Sequence, residues 1–209
     1  MSYEIGEEKR RVRVISGRAK GKRLKAPAGH QTRPITDMIK EALFNVLGTR
    51  VPGCDFLDLF AGSGAVGIEA LSREARRVVF IDNNGPAIRT IKENIRSCGF
   101  TSGFEIYRND VLRAMSLLAQ KNQQFDLIYI DPPFTREEIF VPVMDNLGCN
   151  TIVDRQGLVI IRTPRKMRLP ATFGSLKAYR MDTYGESTLC YYHKEVAEDD
   201  GDFQDFGRA

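Results

Sequence analysis

From Cys54 onward the chain repeats one rhythm. CDFLDLF, RVVFID, FEIYRND, FDLIYID and GLVIIRT are short apolar runs, and the stretches between them place apolar residues at helical spacing. Such runs suit strands buried on both faces, and strands separated by helices predict a mostly parallel sheet with helices on either side. The clearest helix follows Gly85, with Pro86 in its first turn. It carries Ile88, Ile91, Ile95 and Cys98 and stops at Gly99. Another carries Ile139, Val143 and Leu147. The rhythm changes at the end, where LKAYRMDTYG and ESTLCYYHK read as an antiparallel hairpin closing the sheet. The expected class is therefore α/β, with seven strands. RTPRKMRLPA, before the last hairpin, reads as a short, proline-containing helix.

Ahead of this rhythm, Val12 and Val14 alternate with Arg11 and Arg13, and KRLKAP follows the turn SGRAKG. That pattern predicts a β-hairpin carrying basic residues. Thr36 reads as the N-cap of a helix with Asp37 in its first turn and Ile39, Leu43 and Leu47 on its apolar face, ending at Gly48. The expected organisation is a basic extension over 1–35, the α/β domain over 36–194 and an acidic, disordered tail over 195–209. Charge supports the division. Residues 9–33 contain ten basic residues and no acid, and the remainder has 21 basic against 27 acidic, or −6. Charge segregated in this way suits a polyanion.

With 209 residues, 42% of them hydrophobic and 28% charged, the chain is long enough for one domain with a substantial core. No apolar run approaches the roughly 18 residues of a membrane span, and the N-terminus lacks the apolar segment of a signal peptide. Cys54, Cys98, Cys149 and Cys190 form no paired motif and read as reduced core residues of a cytoplasmic protein. Metal ligation has no support.

The first apolar run opens into Phe60-Ala61-Gly62-Ser63-Gly64-Ala65-Val66-Gly67 and then a helix. Glycines there let backbone approach a ligand. The second run ends in Asp82-Asn83, where an acid can hold a ribose diol. A nicotinamide or flavin cofactor and S-adenosylmethionine both fit this much. Asp58, four residues before Gly62, would repel a pyrophosphate and attract the ammonium group of S-adenosylmethionine. The third run ends in Asn109-Asp110-Val111, where Asp110 can accept from an adenine amino group or cap the next helix.

In their order and spacing, FLDLFAGSG, IDNN, RND and DPPF resemble the motifs of class I, Rossmann-like S-adenosylmethionine-dependent amino-methyltransferases. RVISGRAKGKRLKAP, TRPITD and KEALFNVL resemble more narrowly the RsmD family of bacterial 16S rRNA guanine-N2 methyltransferases. This resemblance covers residues 12–194. It implies S-adenosylmethionine as cofactor, guanine N2 as target, and small-subunit rRNA within an assembled or assembling particle as partner. A monomer without metal or membrane attachment is expected. Met38 departs from the pattern, which has arginine there.

The Asp131-Pro132-Pro133-Phe134 stretch gives the resemblance its chemistry. An exocyclic base amine is a poor nucleophile because its lone pair is delocalised. Two acceptors holding its hydrogens, the Asp131 carboxylate and the Pro132 carbonyl, favour a pyramidal nitrogen aimed at a methyl donor. Phe134 would stack on the extruded base. Arg18, Lys20, Lys22, Arg23 and Arg33 would meet RNA phosphates. The rivals are an N6-adenine methyltransferase, for which no separate DNA-recognition domain remains, and a catalytically silent ribosome-assembly factor.

Overall fold

The computed structural model describes residues 12–27 and 35–195. Arg33, His30 and nearly all of the acidic tail lie outside them. Helices α1 (Asp37–Leu47), α2 (Ala65–Ser72), α3 (Gly85–Ser97), α4 (Val111–Gln120) and α5 (Phe140–Cys149) alternate with strands β1 (Asp55–Leu59), β2 (Arg77–Asp82), β3 (Phe104–Arg108), β4 (Phe125–Ile130) and β5 (Val153–Pro164). Strands β6 (Thr172–Phe173), β7 (Leu176–Tyr184) and β8 (Ser187–Lys194) complete one sheet in the order β3-β2-β1-β4-β5-β8-β7-β6. The first five strands run parallel, and β8, β7 and β6 pair antiparallel.

The sheet therefore has eight strands rather than seven, the extra one being a two-residue edge strand. No helix forms between β5 and β7. Pro164 and Pro170 bracket five residues, too few for a helix, and Met167 and Leu169 instead reach the core at a spacing of two. Nor do the described residues of the N-terminal segment build strands. A single bridge, Arg13 to Arg23, and a few backbone bonds hold a minimal hairpin around the turn at Gly17–Gly21.

Helix boundaries follow local chemistry. Thr36 Oγ1 accepts from the Ile39 N–H, Asn84 Oδ1 from Ala87 and Asp110 Oδ1 from Arg113, so α1, α3 and α4 each begin at a side-chain cap. Met38 is 60% exposed on the first turn of α1. Cys54 and Cys190 are buried, but Cys149 is exposed at the end of α5, so the cysteines are not uniformly core residues. No helix among the described residues is long and apolar enough to cross a membrane.

The sheet separates two apolar layers. One face carries Phe56, Phe80, Leu127 and Ile160 against Leu43, Ile68, Ile91 and their neighbours on α1, α2 and α3. The other carries Leu57, Ile81, Ile128 and Ile161 against Met115, Val143 and Leu147 on α4 and α5. Because side chains alternate along a strand, this fixes which face each motif residue shares. Asp58, Asp82, Asp131 and Arg162 all fall on the side of α1–α3.

Candidate active site

Strand order reverses between β1 and β4: the chain proceeds outward through β2 and β3 and then returns to the other side of β1. A crevice outside the carboxyl ends at such a reversal is where open α/β sheets bind ligands. The glycine loop leaves β1 and the Asp131 segment leaves β4, so the reversal puts them side by side. The Asp131 N–H continues the ladder to the Leu59 carbonyl at 3.3 Å.

Phe60 and Gly62 adopt left-handed backbone, φ 60° and 56°, and Gly64 follows at 74°. For Phe60 that conformation is uncommon and is held by its surroundings. The Ala61 N–H donates to the Ile81 carbonyl at 3.0 Å, and Asn94 Nδ2 donates to the Ser63 carbonyl at 2.9 Å. Gly67 serves packing. A Cβ there would sit 2.3 Å from the Phe80 ring, so only glycine lets α2 lie this close to β2.

Asp82 Oδ2 accepts from the Gly62 N–H and Oδ1 from the Asn84 N–H, both at 2.8 Å. Its carboxylate is thus fixed beside the loop with lone pairs left for hydroxyl donors. Asn83 is exposed beside it, its carbonyl accepting from Arg108 Nε at 3.3 Å. Asp110, two strands from β1 at the same end, is exposed while it caps α4, and Val111 is buried.

Asp58 is 2% exposed and accepts from the Gly67 N–H at 2.9 Å. Burial pushes its pKa up to about 8, the Gly67 bond pulls the other way, and the nearby Asp131 and Asp82 charges add to the rise. The donor set fits an amino-acid-bearing nucleoside. Asp58 could meet an ammonium group, Gly62 and Gly64 could form the cradle, and Asp82 could meet a diol.

Asp131 forms a pair that sequence reading missed. Arg162, two residues before the end of β5, places Nε 2.8 Å from Asp131 Oδ1, with side-chain exposures of 8% and 17%. Burial raises the Asp131 pKa and the Arg162 charge opposes the rise. Arg162 also lies over the Phe134 ring, 5.0 Å from its centroid, and Phe134 packs 6.5 Å from Phe140. Phe134 is half-buried rather than free, so its ring is already oriented. The available signal was a register: parallel strands ending in IYID and IIR put opposite charges side by side.

The tip of the basic hairpin lies away from the glycine loop, while the Lys25 backbone at its far end exchanges bonds with the Asn94 side chain, which also holds the Ser63 carbonyl. The Arg18 N–H donates to the Ser72 carbonyl and the Ala19 N–H to Ser72 Oγ, at 2.8 and 2.9 Å. Ser72 is the last residue of α2, about 12 Å down the helix from the glycine loop. Arg18, Lys20, Lys22 and Arg23 are exposed, and the Arg18 guanidinium sits 5.8 Å from the Phe100 ring centroid. Among the described residues no cluster of His, Cys, Asp or Glu is placed to hold a metal ion.

A Rossmann-like sheet with this antiparallel close and this glycine loop defines a class I methyltransferase domain. The model of the family described as conserved hypothetical protein 95 matches residues 12–193. YlbH of Bacillus subtilis is 39% identical over 183 residues, covering 88% of this chain and 99% of that protein. Ribosomal RNA small subunit methyltransferase D of Escherichia coli is 30% identical over 192 residues, 91% of this chain and 94% of the relative. The solved structure of a hypothetical protein from Thermus thermophilus superposes with a TM-score of 0.75 at 31% identity, over 86% and 98% of the two chains. The chain belongs to this family, that of the RsmD methyltransferases.

Proposed function

We propose that the protein methylates the exocyclic N2 amine of a guanine in small-subunit ribosomal RNA, with S-adenosylmethionine as methyl donor. The observation that carries this reading is the Asp131–Arg162 pair, set with Phe134 one strand away from the glycine loop. The Escherichia coli relative, a small-subunit rRNA methyltransferase, supports rRNA as the substrate.

The cofactor, when bound, supplies an electrophilic methyl group on a sulfonium. The chain's own residues must hold and prepare the nucleophile. Arg162 favours the ionised form of Asp131 against the cost of burial, which keeps an acceptor facing the amine. The Pro132 carbonyl is the second acceptor, its place restricted by two consecutive prolines. With both N–H hydrogens held, the nitrogen lone pair points away from them, toward the methyl donor. The amine becomes acidic only as the N–C bond forms, and the carboxylate then lies within reach of the departing proton. Phe134 stacks on the base, with Arg162 bracing the ring from its other contact. Asp58 and Asp82 take the ammonium and ribose of the cofactor.

Single-turnover methylation of small subunits lacking the modification tests this, with nucleoside mass spectrometry identifying the product as N2-methylguanosine. Asp131→Ala should lower the rate of the chemical step about 10²–10³-fold, as loss of one positioned transition-state group does. Phe134→Ala should raise the subunit concentration required by ~1–3 kcal/mol in binding, and Phe134→Tyr should restore it. Wild-type rates for Asp131→Ala would overturn the mechanism, and N6-methyladenosine would overturn the target base.

A further inference from the structure

A second basic segment borders the site. Between Arg155 and Met181 the chain has seven basic residues and no acid. Three of these, Arg165, Lys166 and Arg168, are exposed on the loop that leaves β5 just beyond Arg162. That loop is firmly held. The Arg165 N–H donates to the Glu186 carbonyl at 2.9 Å and the Met167 N–H to the Pro164 carbonyl at 3.0 Å. Met167 and Leu169 pack on the same apolar layer as Phe134, and Tyr192 donates its hydroxyl to the Pro170 carbonyl at 2.9 Å. Arg168 spends one amino group on the Arg165 and Met167 carbonyls, which braces the turn. Arg165 and Lys166 are left facing solvent.

Position gives these two cations a meaning. Arg162 touches Asp131, so Lys166, four residues on, lies within about 14 Å of it along the chain. At about 3.4 Å per stacked nucleotide, that is a span of roughly four nucleotides. The N-terminal hairpin, by contrast, turns at Ser72, toward the amino ends of the strands. The acid in contact with the loop is the exposed Glu186, whose carbonyl accepts from Arg165; the acids that follow Phe134 are the exposed Glu137 and Glu138, the latter paired with Arg136 at 3.1 Å.

We infer that the loop from Pro164 to Pro170 is a separate RNA-contact surface, on which Arg165 and Lys166 hold the phosphates flanking the target nucleotide. This rests on the function proposed above. Its consequence is a division of labour: the loop grips RNA at the reacting base, and the hairpin grips RNA remote from it. A phosphate chain is favoured over an acidic protein because the loop's exposed cations directly follow Arg162, which lies over the Phe134 ring.

The test uses Arg165→Ala/Lys166→Ala in the full chain, leaving Arg162, Met167, Arg168 and Leu169 in place. The probe is a single-stranded RNA of about eight nucleotides with one central guanine. The slope of log affinity against log salt should flatten by about 0.7 × 2, or roughly 1.4, and cofactor affinity by calorimetry should hold. Arg165→Lys/Lys166→Arg should keep the wild-type slope. If the wild type binds the probe and the alanine variant shows an unaltered slope, this inference falls and the proposed function stands. If the variant instead loses only binding to the assembled subunit, the loop docks on ribosomal protein and the RNA reading is overturned. A wild type that binds no octamer yet methylates small subunits overturns this inference and leaves the proposed function standing.

Discussion

Asp58 is the residue whose chemistry is most changed by folding. An aspartate in water titrates near 3.9, whereas burial beside two other carboxylates pushes this one up to about 8. Because its folded pKa lies above its unfolded value, its contribution to stability is present below about pH 4 and is lost as pH rises to about 8. The melting-temperature gap between Asp58→Asn and the ligand-free wild type should therefore widen in the variant's favour across that window. An arriving ammonium group reverses the preference by favouring the carboxylate. At pH 7, below a pKa of about 8, the carboxyl is mostly protonated, so S-adenosylmethionine binding should release a proton. Calorimetry in buffers of different ionisation enthalpy measures this directly. The release should vanish in Asp58→Asn, and identical heats for the wild type in all buffers would remove Asp58 from the site.

At the scale of elements, the N-terminal hairpin is attached to α2 by side chains that no local pattern advertises. The buried Glu69 carboxylate accepts from the Ile15 and Ser16 N–H groups at 2.7 and 2.9 Å and pairs with Lys40 and Arg73. Lys40 and Glu69 are fully buried, and Lys40 Nζ also donates to the Arg13 carbonyl. Burial lowers the Lys40 pKa, with Glu69 and Asp37 opposing the change. Gly17 closes the joint. It has φ +79°, and a Cβ there would sit 1.7 Å from the Ser72 carbonyl oxygen. Gly17→Ala should undock the hairpin and speed tryptic cleavage at Arg18, Lys20, Lys22 and Arg23, with cofactor affinity retained. Gly21→Ala should do much less, since φ is +82° but nothing lies within 4 Å. Equal cleavage rates in the two variants would mean that the Gly17–Ser72 contact does not hold the hairpin.

For the whole molecule, the decisive property is where its charge lies. Ten basic residues within 9–33 leave the rest of the chain at −6, so long-range attraction of a polyanion acts mainly through the extension. The docking at Ser72 places its tip about one helix length from the site. Replacing Arg18, Lys20, Lys22 and Arg23 by alanine should therefore weaken binding of long RNA and of small subunits. The salt slope on long single-stranded RNA should flatten by about 0.7 × 4, or roughly 3. Binding of an eight-nucleotide probe at the active site should barely change. An unchanged slope on long RNA would make the hairpin merely a solvated surface.

What the chain alone determined is everything written over a few neighbouring residues. Thr36 and Asp110 cap helices because a short polar side chain reaches N–H groups two or three positions on. Gly62 and Gly64 mark the loop because few other residues adopt positive φ readily. Asp58, Asp82 and Asp131 could be picked out because each stands at or near the end of an apolar run. Tertiary structure decided the relations among distant residues. The bond from Arg162 to Asp131 spans 31 positions and exists because β4 and β5 pair in one register. The anchoring of Ile15 by Glu69 spans 54, and nothing in either neighbourhood requires it. The segment between Pro164 and Pro170 became a loop rather than a helix because two prolines left too few residues for one, while Met167 and Leu169 found a core to enter. Local propensity sets the elements; only the packed sheet, by choosing which strand ends lie together, could assemble the site.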